Sequence, residues 1–269
     1  MTVGKMKISK DIPYGPGGIP GLCDVYLPDR ETPSDFAVLM IHGGGWSSMS
    51  KENFAGPAEW LCGELDLPVC NINYRLCGET PWPACGDDCL AAARYLLDGK
   101  APVPGTPERR KLVILGGSSG GHLALMTGLR LPAEKVACIV SISGIGDLNA
   151  DRELNPGRYV NLFSHEPDET EIRNASPAAY LRPDSPPILC THEKNDNVVP
   201  IRSAEKFLDA VRKNGTAGES YFYDKPETGR SHRIWIPGTD PRKLYPEIEA
   251  AVGAFIMRQI RKNEPTGKP

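Results

Sequence analysis

The chain of 269 residues is predicted to fold as an α/β protein, with a mostly parallel sheet of about eight strands and helices on both faces. Continuous apolar runs alternate along the chain with helical patterns, as expected when each strand is buried on both faces. Two extended segments at the front are typical of an antiparallel start. The length and an apolar content of 40% suit one large domain.

The predicted strands follow one another from the first residues to the last third of the chain. The two extended segments KISKDIPY and LCDVYLP come first. The run FAVLMIH (Phe36–His42) is continuous and ends in glycines, which indicates a strand buried on both faces. The later predicted strands are LPVCNINY, KLVILGG, VACIVSISG, PPILCTH and SYFYDK.

Helical patterns separate these strands. The segment WPACGDDCLAAARYLLDG stops at Gly99, a residue suited to end a helix. A helix is also predicted for HLALMTGLR, directly after KLVILGG. Two further segments carry an apolar stripe at helical spacing. The residues of these two stripes are Phe207, Leu208 and Val211, and then Ile248, Val252, Phe255 and Ile256.

One region breaks the alternation. Residues 149–187 lie between two predicted core strands and are polar and rich in proline. A stretch of about forty residues is long for a simple connection. We therefore expect one domain over residues 1–269, with a short helical cap inserted at about 149–187.

Composition and charge exclude several functions. The net charge of −3 is mild and the basic residues are scattered, which argues against a nucleic-acid partner. No apolar run approaches the ~18 residues of a membrane span. Eight cysteines are few for a disulfide scaffold, and the N-terminus has no apolar signal region. We expect a cytoplasmic protein, or a secreted one if a signal peptide has been removed; the oligomeric state is not indicated.

The segment LGGSSGGH is the first candidate functional motif. It lies between a predicted strand and a predicted helix, where a G-x-S-x-G turn holds a nucleophilic serine in a strained backbone. Two frames fit, one centred on Ser118 and one on Ser119. A glycine-rich turn that binds phosphate or nothing is the alternative, because the motif alone is weak.

The segment IHGGGW is the second motif. Its glycines follow an earlier strand and allow backbone N–H groups to point into a site. Acyl transfer needs such donors, because its tetrahedral intermediate carries a negative oxygen. A flexible loop without function is the alternative interpretation.

In combination, HGGGW and GGSSGGHLA resemble the motifs of α/β-hydrolase esterases of the hormone-sensitive-lipase and acetyl-xylan/feruloyl-esterase-like type. The blocks NYR and PWPACGDD are also similar to that family, so the resemblance covers nearly the whole chain. It implies the α/β-hydrolase fold and Ser118 as nucleophile. It also implies an oxyanion hole formed by the backbone N–H groups of Gly44, Gly45 and Ser119.

A nucleophilic serine needs a base and an acid that orients the base, and in this fold the chain order is serine, acid, histidine. His232 is the one histidine after the expected acid loop, so it is the candidate base. Asp196 is the candidate acid, since DNVVP is similar to the family's D-x-V-V-P. Glu193 stands where the family has glycine and is a rival acid. Asp224 is a weaker candidate.

The other four histidines have different expected roles. His42 is expected to hold the glycine loop by hydrogen bonding, and His122 and His192 are expected to be structural. His165, on the cap, either touches substrate or is solvated. Five cysteines cluster between Cys62 and Cys89 and are interpreted as packing thiols. A disulfide such as Cys77–Cys85 and a metal site are the alternatives, although the spacing does not favour zinc.

The sequence therefore predicts a serine carboxylesterase that needs no cofactor and no metal and acts on a small-molecule ester. The resemblance implies short acyl groups, with acetyl or feruloyl esters of plant-derived carbohydrate as candidates. Trp46 is a candidate wall of the acyl pocket and Trp82 a candidate for its rim; either could instead be a core aromatic. An amide-cleaving hydrolase of the peptidase or arylformamidase type, and a non-catalytic ligand receptor, are the alternatives.

Overall fold

Eight strands form one sheet in the computed structural model, which describes residues 6–15, 17–29, 34–155, 157–225 and 232–264. The strands are β1 (Met6–Pro13), β2 (Leu22–Pro28), β3 (Phe36–Ile41), β4 (Val69–Ile72), β5 (Lys111–Gly117), β6 (Val136–Ile142), β7 (Ile188–Glu193) and β8 (Gly218–Tyr223). Their order in the sheet is β1-β2-β4-β3-β5-β6-β7-β8.

Strands β3 to β8 are mutually parallel, whereas β1 and β2 join the sheet in antiparallel pairs. This confirms the predicted antiparallel start and parallel body. Because parallel strands end at the same edge, the loops after β3, β5, β7 and β8 meet there.

The helices of the described residues pack on both faces of the sheet. They are α1 (Ala55–Glu64), α2 (Ala84–Leu97), α3 (Ser119–Arg130), α4 (Leu148–Leu154), α5 (Val160–Phe163), α6 (Glu169–Asn174), α7 (Ile201–Lys213) and α8 (Pro246–Asn263). The fold class predicted from the sequence is therefore confirmed.

Strand β3 shows why the apolar runs are continuous. Its six residues are all buried and alternate between two hydrophobic clusters. Leu39 belongs to the cluster under α2, α3 and α7, whereas Met40 belongs to the cluster under α1 and α8. A strand with helices on both faces needs apolar side chains at every position, which removes the period of two.

The region between β6 and β7 contains α4, α5, α6 and a 3₁₀ turn at Pro177–Tyr180. Two of these helices begin with an aspartate side chain that accepts backbone N–H bonds, Asp147 on α4 and Asp168 on α6. His165 lies exposed here and pairs with Glu171 at 3.0 Å. The segment is thus built from short helices, two of which are capped by an aspartate.

Lys51 links the front strands to the rest of the sheet. Its side chain is 2% exposed, and its Nζ lies 2.8 Å from the buried carboxylate of Asp24 on β2. Asp11 and Glu52 lie at 3.0 and 2.7 Å. Burial alone would lower the pKa of Lys51, but the hydrogen bonds to Asp24, Glu52 and Asp11 raise it above its ordinary value.

Lys51→Met is expected to lower the free energy of unfolding by about 3–5 kcal/mol, because it leaves the Asp24 carboxylate buried without its partner. Urea denaturation at neutral pH measures this. Adding Asp24→Asn removes the stranded charge and should restore more than half of the loss. An unchanged stability in the single variant would contradict this role for the ion pair.

Candidate active site

Ser118 lies at the turn between β5 and α3, at the carboxyl edge of the sheet. Its φ of 56° and ψ of −125° lie in a region that non-glycine residues rarely adopt, which is the strain expected of a nucleophile elbow. The turn needs glycine beside it. A Cβ on Gly120 would lie 2.3 Å from the carbonyl oxygen of Ile41, so α3 could not approach β3 so closely.

Ser118, His232 and Asp196 form a continuous hydrogen-bonded chain. His232 Nε2 lies 2.9 Å from Ser118 Oγ, and His232 Nδ1 lies 2.7 Å from Asp196 Oδ2. Since a carboxylate only accepts, Nδ1 carries the proton and Nε2 can accept from the serine hydroxyl. This is the tautomer that a general base for Ser118 requires.

The Asp196 carboxylate is held rigidly behind His232. Its Oδ1 accepts from the backbone N–H groups of Val198 and Val199, at 2.9 and 2.8 Å, which leaves Oδ2 for His232. His192 donates from Nε2 to the carbonyl of Val199 at 2.7 Å. Burial lowers the pKa of His192, so it remains a neutral support for this loop.

The Gly43–Gly45 loop follows β3 and faces Ser118. Gly44 has a φ of 108°, and a Cβ there would lie 2.1 Å from the carbonyl oxygen of Ser48. Within the described ranges, no acceptor is found for the backbone N–H groups of Gly44, Gly45 or Ser119. Ser119 is the first residue of α3, where helix N–H groups are unpaired.

His42 and Tyr74 hold the glycine loop from below. His42 Nδ1 donates to the carbonyl of Gly43 at 2.7 Å, and its ring stacks on Tyr74 with a centroid distance of 4.2 Å. Tyr74 Oη donates to the carbonyl of His42 at 3.1 Å. His42 thus holds this loop by hydrogen bonding, as the sequence indicates.

Trp46 is tied to the cap segment through His122. Its indole N–H donates to His122 Nδ1 at 3.1 Å, so the other ring nitrogen carries the proton and donates to the carbonyl of Ala175 at 2.7 Å. Trp46 is almost completely buried. Its indole is therefore fixed beside the glycine loop.

A cavity of about 380 Å³ opens beside Ser118 and His232. Sequence reasoning missed most of its walls, because their positions along the chain carry no motif. The lining residues that complete the site are Trp46, Met49, Phe54, Ile145, Arg158, Asn161, Val198, Val199, Ile234, Trp235 and Arg242.

Trp82 does not line this cavity. Its ring packs against Gly86, where a Cβ would lie 2.8 Å from the indole, and near His122, at 5.9 Å between ring centroids. The expected rim position of Trp82 is therefore not seen at this cavity. Trp46 does line it.

The two rival acids make other contacts. Glu193 Oε2 accepts from the backbone N–H of Arg233 at 2.8 Å, not from His232. Asp224 Oδ1 accepts from the side chain of Asn195 at 2.9 Å. Of the three carboxylates considered, Asp196 is the one hydrogen-bonded to His232. The glycine-containing loop before His232 lies outside the described residues.

The cysteines are buried and unpaired. The Sγ atoms of Cys77 and Cys85 are 3.6 Å apart, well beyond the ~2.05 Å of a disulfide bond. Among the residues with described coordinates, no group of three or more histidine, cysteine or acidic side chains could hold a metal ion. No helix in that part of the chain is both long and apolar enough to cross a membrane.

Acid is expected to destabilise the fold through His42 and His122. Burial, opposed by hydrogen bonds to Gly43 and Ala175, lowers the pKa of each from 6.5 to about 4. The unfolded chain binds protons first as the pH falls through this window, so stability is lost between about pH 6.5 and 4. Each imidazole contributes a loss of about 3 kcal/mol.

Urea denaturation at pH 7.5 and 5.0 measures this dependence. His122→Gln should reduce the difference between the free energies of unfolding at the two pH values. Replacing the exposed His165 with Gln is the control, because it leaves the contribution of the buried imidazoles to that difference unchanged. If the free energy of unfolding fell by the same amount between pH 7.5 and 5.0 in wild type and in His122→Gln, the assignment to His122 would be contradicted.

The order and direction of the strands define a class, that of proteins with the α/β-hydrolase fold. The family model for BD-FAE matches residues 23–211, which is most of the chain. The chain belongs to the BD-FAE family.

Curated relatives that are named as esterases match about three quarters of the chain. The chain is 28% identical over 235 residues to esterase LipQ of Mycobacterium tuberculosis, covering 79% of this chain and 55% of LipQ. It is 30% identical over 215 residues to versiconal hemiacetal acetate esterase stcI of Emericella nidulans, covering 73% and 71%. The chain spans about half the length of LipQ and of LipM, a protein of M. tuberculosis named as a probable carboxylic ester hydrolase.

The fold is shared with solved esterases at low sequence identity. A truncated carbohydrate esterase from gut microbiota superposes with a TM-score of 0.76 at 21% identity, covering 95% of this chain and 96% of that chain. An acetyl ester-xyloside bifunctional hydrolase from Caldicellulosiruptor lactoaceticus superposes with a TM-score of 0.71 at 21% identity, covering 89% of each.

Proposed function

We propose that the chain is a serine carboxylesterase in which Ser118 is the nucleophile, His232 the general base and Asp196 the acid that orients it. The observation that carries this proposal is the chain of hydrogen bonds from Asp196 through His232 to Ser118, at 2.7 and 2.9 Å. A serine hydroxyl becomes a strong nucleophile when a positioned base takes its proton.

The proposed reaction has two halves. Ser118 Oγ attacks the ester carbonyl while His232 Nε2 takes the hydroxyl proton. The N–H groups of Gly44, Gly45 and Ser119 stabilise the oxyanion, and the imidazolium then protonates the leaving alcohol. Water, activated by His232, releases the acid from Ser118 in the second half. His232 thus carries the proton in both halves, whereas the backbone N–H groups only donate hydrogen bonds to the oxyanion.

We propose short acyl esters as substrates, with acetyl or feruloyl groups on plant-derived carbohydrate as the first candidates. The cavity of about 380 Å³ supports a small acyl group. The names of one relative and two structural neighbours support the acetyl group and the carbohydrate: a versiconal hemiacetal acetate esterase, a carbohydrate esterase and an acetyl ester-xyloside bifunctional hydrolase. The short helices within residues 149–187 act as a small cap in this proposal.

A panel of substrates tests the function directly. Purified protein is assayed with 4-nitrophenyl esters, acetylated and feruloylated oligosaccharides, and the matched 4-nitroanilides. We expect turnover of the acetyl ester at a rate far above that of the anilide. Turnover of the anilide alone would favour an amide-cleaving hydrolase, and no turnover at all would favour a receptor.

Trp46→Ala is expected to move the preferred acyl group toward longer chains. In the wild type, kcat/KM should peak between acetyl and butyryl and fall steeply by octanoyl, because the fixed indole lines the cavity. Chain-length profiles on 4-nitrophenyl esters measure this. The matched control is Trp82→Ala, which removes an indole that does not line the cavity and should keep the wild-type profile. An unchanged profile in Trp46→Ala would remove Trp46 from the acyl wall.

A further inference from the structure

His232 occupies a backbone conformation that needs external support. Its φ is 64°, in the left-handed region, where a residue with a Cβ is strained. The side chains at and after His232 also point in two directions. His232, Ile234 and Trp235 line the cavity, whereas the neighbouring Arg233 contacts Glu193. Something must therefore fix the main chain at Arg233.

Glu193 and Tyr223 hold that main chain from both ends. Glu193 is the last residue of β7 and pairs in register with Tyr223, the last residue of β8. The Glu193 carboxylate accepts from the N–H of Arg233 at 2.8 Å, and Tyr223 Oη donates to the carbonyl of Arg233 at 2.8 Å. Two cross-strand neighbours thus hydrogen-bond the backbone of Arg233, the residue directly after His232.

The charge of Glu193 is balanced by that of Arg233. Glu193 is 1% exposed, and an unpaired buried carboxylate would be costly. The guanidinium of Arg233, itself largely buried, lies 3.5 Å from the second carboxylate oxygen. The first residue of the Lys194–Asp196 loop is held as well, since Lys194 N donates to the carbonyl of Tyr223 at 2.8 Å. The loops that carry His232 and Asp196 share one anchor.

We propose that Glu193, together with Tyr223, is a positioning residue that sets His232 at hydrogen-bonding distance from Ser118 and Asp196. This inference rests on the proposed esterase function. Glu193 touches neither substrate nor imidazole; it acts through the backbone of Arg233. An error of about 1 Å in the placement of a catalytic group can reduce the rate about 100-fold, so these hydrogen bonds to Arg233 have catalytic consequences.

The test separates the acceptor role of Glu193 from its charge. Glu193→Ala removes the acceptor and should lower kcat about 10–100-fold with KM changed less than about twofold. Glu193→Gln keeps an acceptor for the Arg233 N–H and should retain kcat within about fivefold of wild type. Tyr223→Phe, which is nearly isosteric, should lower kcat in the same direction. Active-site titration expresses every kcat per folded, reactive site.

Asp24→Ala is the matched control, because it removes a buried carboxylate on β2, near the opposite edge of the sheet. It should lower stability but leave kcat per reactive site unchanged. A kcat of wild-type size in Glu193→Ala or in Tyr223→Phe would overturn the proposal. A loss in Glu193→Gln as large as in Glu193→Ala would also overturn it, since the charge would then matter and not the acceptor.

A second readout does not depend on turnover. An imidazole N–H bonded to a carboxylate gives a strongly downfield proton resonance in NMR spectra, and His232 Nδ1 donates such a bond to Asp196. This resonance should persist in Glu193→Gln and be lost or broadened in Glu193→Ala. Persistence in Glu193→Ala would overturn the proposal. Wild-type protein that hydrolyses no ester would refute the esterase function instead. The resonance would still test whether Glu193 positions His232.

Discussion

Ser118→Ala is expected to lower kcat on short 4-nitrophenyl esters by about 10⁴-fold or more, because it removes the hydroxyl at the end of the hydrogen-bonded chain from Asp196. The fold should persist, since alanine removes one oxygen at a partly buried position and leaves the turn intact. Rates on the acetyl ester and the urea midpoint, measured side by side, separate a loss of chemistry from a loss of folding.

Ser119→Ala is the matched control for that substitution. The Ser119 side chain is buried, and its Oγ is not part of the hydrogen-bonded chain of Ser118, His232 and Asp196. Only its backbone N–H enters the proposed mechanism, so the variant should retain most of the activity. If Ser119→Ala were inactive and Ser118→Ala active, the assignment of the nucleophile would be wrong.

Asp196→Asn is expected to lower kcat by about 10⁴-fold while leaving the fold intact. The amide oxygen can still accept from the N–H groups of Val198 and Val199, so the loop is retained. The amide N–H₂ would then face His232 and favour the tautomer whose Nε2 carries a proton. That imidazole cannot accept the proton of Ser118.

Asp224→Asn and Glu193→Gln are the controls for this second substitution. Asp224 accepts from Asn195, and Glu193 accepts from the backbone of Arg233, so neither carboxylate is bonded to His232. Both variants should be much milder than Asp196→Asn. A loss of 10⁴-fold in either control, with Asp196→Asn active, would transfer the role of acid to that residue.

The central strands of the sheet were predictable because they are buried on both faces. The six residues of β3 are all buried, and only a continuous apolar run satisfies two clusters at once. The order of the strands was not predictable from periodicity. The placement of β4 between β2 and β3 depends on contacts between residues that are far apart along the chain.

The candidate triad was accessible because each member follows a strand and the chain order of this fold is fixed. The surroundings were less accessible. The sequence predicts Glu193 as a rival acid, because it shows a carboxylate near the acid loop but not the direction in which the side chain points. In the structure this carboxylate points to the backbone N–H of Arg233. For the same reason the sequence predicts Trp82 at the rim of the acyl pocket, whereas its ring packs on Gly86 in the structure. Side-chain direction in a loop is set by tertiary packing.

Covalent labelling tests the central claim most directly. The purified wild-type protein is incubated with a fluorophosphonate, and the adduct is located by mass spectrometry of its peptides. The account predicts one adduct per chain, on Ser118, with loss of ester hydrolysis in proportion to labelling and no adduct in Ser118→Ala. An adduct on Ser119, or ester hydrolysis that survives complete labelling of Ser118, would contradict it.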